Sequence, residues 1–219
     1  TGAYGAGVMS ILTRELGHDY FRGVYGVSVG ICAATFHISN QPDIIEYTWR
    51  NHVDGRKLVN LANPFRGRWI LDLEYLMRIF QNATSLLDTK AIEDSNCRLT
   101  YIATDFNTGE PRYLDAKDGN LFRYMVASQS LPIFHGPVRI NGQTFFDGSF
   151  SDPCPIEKAL KDGYDEILIV SNKTENDNNE RSSCLMLLLA SLRYPISLLE
   201  LDKQRIVKIG IAEQYIMCS

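Results

Sequence analysis

Apolar positions in the first sixteen residues recur at helical spacing. In GAYGAGVMSILTREL, Val8, Ile11, Leu12 and Leu16 share one face, and Gly17 follows as a stop signal. The small residues Ala3, Gly5, Ala6 and Gly7 lie in the first half of this helix. Glycine is a poor helix former, so their clustering predicts a close approach by another backbone. The pattern then changes period. Gly23 to Val27 reads as a short buried strand, and Gly30-Ile-Cys-Ala-Ala-Thr-Phe as the start of a helix. Residues 42 to 95 read as mostly helical, with one helix opening at Pro42 and another over Ile70 to Phe80.

The middle of the chain has the signature of hairpins. Leu99 to Thr104 and Pro111 to Asp115 flank Asn107-Thr-Gly109, and Val138 to Phe146 is interrupted by Asn141-Gly142, the favoured type I′ turn pair. Ile156 to Lys161 predicts a helix and Glu166 to Val170 a buried strand. The polar segment 174–183 (TENDNNERSS) predicts a solvated, mobile loop, and Leu185 to Leu201 and Lys203 to Met217 predict C-terminal helices that fill 184–219. Strands alternating with helices predict a three-layer α/β/α fold with a mainly parallel central sheet, in a single domain over 1–219.

Composition narrows the function. The chain has 219 residues, 22 Lys+Arg against 26 Asp+Glu, and a net charge of −4, which argues against a general nucleic-acid binder. Its longest strongly apolar stretch, Cys184 to Leu192, is about half of the ~20 residues needed to span a bilayer. Five cysteines without Cys-x-x-Cys spacing fit reduced thiols in a cytoplasmic protein. His18, His37, His52 and His135 form no ligand pair, so no metal is expected.

Gly26-Val-Ser28-Val-Gly30 is a G-x-S-x-G motif at a strand-to-helix junction. That spacing suits a strained turn in which glycines permit close packing and the serine hydroxyl projects beside a helix N-terminus. A glycine-rich turn whose serine only caps the helix is the plainer reading. A nucleophilic serine needs a base. His37 lies too far along the same helix, and His135, after a Leu-Pro turn, is the one histidine to test in a triad. Asp147 is the better candidate. It ends the second strand of the Asn141-Gly142 hairpin and is followed by Gly148 and Ser149, although Asp-Gly is also a common turn pair.

Taken in order, the motifs resemble those of the patatin-like phospholipases. Thr1-Gly-Ala-Tyr-Gly-Ala-Gly-Val resembles the end of the family's glycine-rich oxyanion loop, and Gly26-Val-Ser28-Val-Gly30 its nucleophile elbow. Ala127-Ser-Gln-Ser-Leu-Pro132 resembles its Ala-Ser-x-x-x-Pro segment, and Phe146-Asp147-Gly148-Ser149 its Asp-Gly-Gly/Ala segment. The resemblance covers about residues 1 to 172. It implies a Ser28–Asp147 dyad without histidine, an acyl-enzyme, oxyanion donors at the backbones of Gly2 and Val29, and no cofactor. Its substrate would be a lipid or phospholipid ester, with transient contact at a membrane surface. The chain departs from the family pattern at Thr1, where a basic residue is usual, and at Ser149, where glycine or alanine is usual. The resemblance further implies that the first strand and most oxyanion donors lie upstream of Thr1.

Three other readings stay open. The same elbow serves acyltransferases, although the malonyl-transferase type carries His before the serine and this chain has Val27. A dinucleotide-binding module is disfavoured because Gly2-x-x-Gly5-x-Gly7 reverses the required glycine order. A non-catalytic lipid- or partner-binding relative is the third. Phe65-Arg-Gly-Arg-Trp-Ile mixes aromatic, basic and apolar residues, which suits either headgroup contact or a plain loop leading into a helix.

Overall fold

The computed structural model describes residues 2–171 and the strand 214–218. Helix α1 (Gly2–Leu16) ends where Gly17 adopts φ 92° and returns its N–H to the Thr13 carbonyl. Strand β1 (Gly23–Val27) is buried along its whole length and leads to α2 (Gly30–Ile38), every residue of which is buried. Helix α3 (Pro42–Asn51) has proline in its first turn, and the short α4 (Gly55–Leu58) is capped by Asp54. Helix α5 (Leu73–Phe80) starts three residues later than the apolar run beginning at Ile70. The Asp72 carboxylate accepts from the Tyr75 N–H at 2.7 Å and fixes that start.

Helix α6 (Thr89–Asp94) precedes the central strand β2 (Arg98–Asp105), which turns back as β3 (Pro111–Asp115). Helix α7 (Leu121–Gln129) is followed by the hairpin β4 (Val138–Ile140) and β5 (Gln143–Asp147), then α8 (Ile156–Lys161) and β6 (Ile167–Ser171). Asn141 and Gly142 sit at φ 50° and 82°, the double positive φ of a type I′ turn.

The architecture is α/β, a central sheet with helices on both faces. Alternation along β1 and β2 separates the two sides. Val24, Leu99, Tyr101 and Ala103 enter the larger core, with residues of α1, α2, α5 and α7. Tyr25, Val27 and Ile102 point the other way, onto Ala159 of α8.

Two expectations are corrected. The sheet is mixed and not mainly parallel: β1 with β2 is the one parallel pair among the described residues. Connections as short as those of the β2–β3 and β4–β5 hairpins can only join antiparallel strands. The expected helix over Lys203 to Met217 also fails at its end. Gln214–Cys218 is a strand, β7, inserted antiparallel between β1 and β6. A run as short as Gln-Tyr-Ile-Met-Cys carries too little periodicity to separate strand from helix. The expected loop at 174–183 and the helix at 185–201 lie outside the described residues.

Of the small residues expected to admit a close approach to α1, Gly5 and Ala6 are buried, whereas a Cβ on Gly7 would meet nothing within 4 Å. The crowded glycine is Gly2, outside that set, where a Cβ would run into the Trp49 ring of α3. No described helix is long and apolar enough to cross a membrane.

Candidate active site

Strand register brings the two ends of the site together. On β2, Tyr101 pairs with Gly26 of β1 and with Leu114 of β3, so β1 and β3 take opposite edges. Ala103 pairs with Arg112 of β3 and with Asp147 of β5, so β5 lies on the same edge as β1. There the two strands meet head to head, with Val27 opposite Ile102 and Asp147 opposite Ala103. The residue after Val27 is Ser28.

Ser28 is held in the left-handed region, at φ 54°. Such strain in a non-glycine residue persists only where its surroundings enforce it. Here the chain must reverse from β1 into α2 without a gap. A Cβ on Gly26 would lie 2.9 Å from the Ile31 Cα, which accounts for glycine at the head of the motif. The N–H groups of Ile31 and Cys32 donate to the Ser28 and Val29 carbonyls, at 3.2 and 3.1 Å, and form the first turn of α2. The helix end that favours negative charge therefore begins directly after the serine.

The Ser28 hydroxyl donates to Asp147 Oδ2 at 2.7 Å. The other carboxyl oxygen, Oδ1, accepts from the Ser149 N–H at 2.9 Å and the Ser149 hydroxyl at 2.7 Å. The Asp147 backbone is pinned as well: its N–H donates to the Ser130 carbonyl, and its carbonyl accepts from the Thr104 hydroxyl at 2.7 Å. A Cβ on Gly148 would lie 2.2 Å from the Ile102 carbonyl oxygen, so the turn after the aspartate passes too close to β2 for any side chain.

Asp147 is fully buried. Burial pushes its carboxyl up to about 6, while the hydrogen bonds from the Ser149 N–H, the Ser149 hydroxyl and Ser28 pull it down. An aspartate at its ordinary value near 3.9 would be a weak proton acceptor; at about 6 it is better matched to a base working near neutrality.

The histidines stand elsewhere. His135 Nδ1 is 2.7 Å from the Gly136 carbonyl oxygen, Nε2 is 3.4 Å from a Glu74 carboxylate oxygen, and the ring lies against Trp69. Both nitrogens are thus engaged away from Ser28, and the geometry offers no triad. His37 packs under α1, with Nδ1 2.7 Å from the Thr13 hydroxyl, and burial lowers it to about 4. The two residues expected as oxyanion donors are neighbours: a Cβ on Gly2 would lie 2.9 Å from Val29 Cγ2.

In the sequence Ser149 stands out only as a departure from the family pattern, and its two contacts with Asp147 emerge from the structure. An Asp-x-Ser step, in which the carboxylate caps the N–H two residues on, was the available signal. Thr104 and Ser130 carried no local signal, because only the sheet and the α7 exit bring them to Asp147.

Residues 1–160 match the patatin-like phospholipase family model, and the chain belongs to that family of lipid acyl hydrolases. Among curated proteins it is similar to the uncharacterized protein YjjU of Escherichia coli strain K12. The two are 23% identical over 176 residues, covering 76% of this chain and 49% of that protein. The chain therefore spans about half the length of this relative.

Proposed function

We propose that the chain is a serine lipid acyl hydrolase, of phospholipase A or lysophospholipase type, that works through a Ser28–Asp147 dyad. The observation that carries the reading is the 2.7 Å hydrogen bond from the strained Ser28 to the buried, elevated carboxylate of Asp147. Family membership supports a lipid ester as the substrate class.

In the first half-reaction, Ser28 Oγ attacks the ester carbonyl carbon as Asp147 Oδ2 takes the hydroxyl proton. The negative charge that develops on the carbonyl oxygen is met by the N–H of Val29 at the start of α2 and by that of Gly2. Collapse of the tetrahedral intermediate breaks the bond to the leaving alcohol, which receives the proton from Asp147. In the second half, Asp147 takes a proton from water, the resulting oxygen attacks the acyl-enzyme, and the fatty acid leaves as Ser28 regains its proton. Ser149 holds Oδ1 throughout, so Oδ2 stays directed at the nucleophile.

The test is hydrolysis of a short-chain nitrophenyl ester and of phospholipid vesicles, with released fatty acid as the product measured. Wild type is expected to be active, Ser28→Ala inactive and Asp147→Asn at least a hundredfold slower. Acyl transfer to an added alcohol without free fatty acid would instead assign a transferase.

A further inference from the structure

The segment from Gly55 to Leu71 holds four basic residues, Arg56, Lys57, Arg66 and Arg68, and no acidic one, in a chain whose net charge is −4. All four are exposed, and none is ion-paired among the described residues. The same segment carries the most exposed large apolar side chains of the described structure: Phe65 is 93% exposed and Leu61 is 73% exposed. Within the part from Val59 to Leu71, the exposed Arg66 and Arg68 follow closely on Phe65, so cationic and apolar side chains stand together on one short loop, in a chain of opposite net sign.

The segment is built to hold that arrangement. Val59 and Leu71 form an isolated antiparallel bridge at its base, and the Asn60 N–H donates to the Ile70 carbonyl at 2.8 Å. Asn63 is buried beneath the tip and donates from Nδ2 to the Trp69 carbonyl at 3.0 Å. A 3-10 turn over Asn63–Arg66 ends at Gly67 in the left-handed conformation, and the Arg68 N–H returns to the Asn63 carbonyl. Phe65 therefore stands at the crown of a closed, internally bonded loop, with an arginine beside it and another two residues beyond.

The loop also joins the candidate site. The Leu71 N–H donates to the Phe134 carbonyl at 2.8 Å, and the Trp69 ring packs on Gly136, where a Cβ would lie 2.3 Å from it. That strand of chain begins at Ser130, whose carbonyl accepts from the N–H of Asp147.

We propose that the Val59–Leu71 loop docks this protein on an anionic phospholipid surface, with Phe65 and Leu61 entering the interface and the arginines meeting the headgroups. Charge and shape select this occupant. A stable protein interface buries about 800 Å² on each partner, far more apolar surface than two projecting side chains offer. A bilayer accepts a single aromatic crown, and each cation near an anionic leaflet adds to the attraction. That docking would bring membrane esters to Ser28 rests on the lipid-hydrolase reading; the adsorption does not.

The experiment is co-sedimentation of the Ser28→Ala protein with vesicles of phosphatidylcholine alone or mixed with phosphatidylserine, so that no turnover intervenes. Adsorption is expected to the mixed vesicles and to fall with added salt. Phe65→Ser should weaken it about tenfold, and Arg66→Gln with Arg68→Gln about twentyfold or more. Equal adsorption to neutral vesicles, no adsorption by the parent, or adsorption unchanged in these variants would overturn the proposal. So would light scattering that shows a self-associated parent made monomeric by Phe65→Ser, which would mark a protein-binding surface. Soluble-ester hydrolysis by otherwise wild-type protein, unchanged by Phe65→Ser, is read separately. Its absence alongside intact adsorption would defeat the enzymatic reading and leave the docking surface standing.

Discussion

Ser28 and Asp147 are separated by 119 residues of sequence, yet the serine hydroxyl donates to the aspartate carboxylate at 2.7 Å. Two consecutive residues of β2 account for this: Ile102 fixes the end of β1 and Ala103 the end of β5 on one edge. The dyad is thus a property of sheet register, and changes that disturb the register should act on activity before they unfold the protein.

The nearest such change is Gly148→Ala. Its methyl group would fall 2.2 Å from the Ile102 carbonyl oxygen, which is backbone and has no room to yield. The turn must shift, taking Asp147 off Ser28. Ester hydrolysis is expected to drop at least a hundredfold, with a stability loss of about 1–3 kcal/mol in chemical denaturation.

Asp147→Asn removes the proton acceptor and keeps the shape of the side chain. General-base catalysis contributes about 10²–10⁴ in rate, and a loss of that size in kcat, with KM little changed, is the expected result. The same variant should be the more stable protein at alkaline pH. The folded carboxyl titrates at about 6 and the unfolded one near 3.9, so within that window the folded state binds the extra proton. The wild type therefore loses stability as pH rises from 4 to above 6, by up to about 3 kcal/mol. Thermal melts should show Asp147→Asn ahead of wild type at pH 8 and level with it at pH 4.

Ser149→Ala deletes one of the two Ser149 donors to Oδ1 and leaves the backbone N–H in place. The lost bond favoured the carboxylate, so the carboxyl should rise further above 6. The acid limb of the kcat profile is expected to move upward by about one pH unit. A limb that stays in place would show that this hydroxyl does not tune the base.

The sequence made the site's local parts legible and left its assembly hidden. The elbow at Ser28 and the turn at Asn141-Gly142 follow from steric rules acting within a few residues, and both were readable. The limits of β1 also agree with its apolar run. Non-local facts were not readable. Nothing local announces that Asp147 shares a strand edge with Val27, that Thr104 grips the Asp147 carbonyl, or that 214–218 pairs with β1. The mixed sheet is hidden for the same reason: each hairpin has a local signature, but the placement of both around β2 depends on the whole core. His135, the one histidine whose place in the chain leaves it to be tested in a triad, is engaged by Gly136 and Glu74.

If Ser28 is the nucleophile and Asp147 its base, a fluorophosphonate must react at Ser28, which mass spectrometry of the proteolytic peptides of the labelled protein reads out. A single adduct on Ser28 is predicted, formed by wild type, absent in Ser28→Ala, greatly slowed in Asp147→Asn and undiminished in His135→Ala. An adduct on another residue, or labelling that survives Asp147→Asn and is lost in His135→Ala, would contradict it.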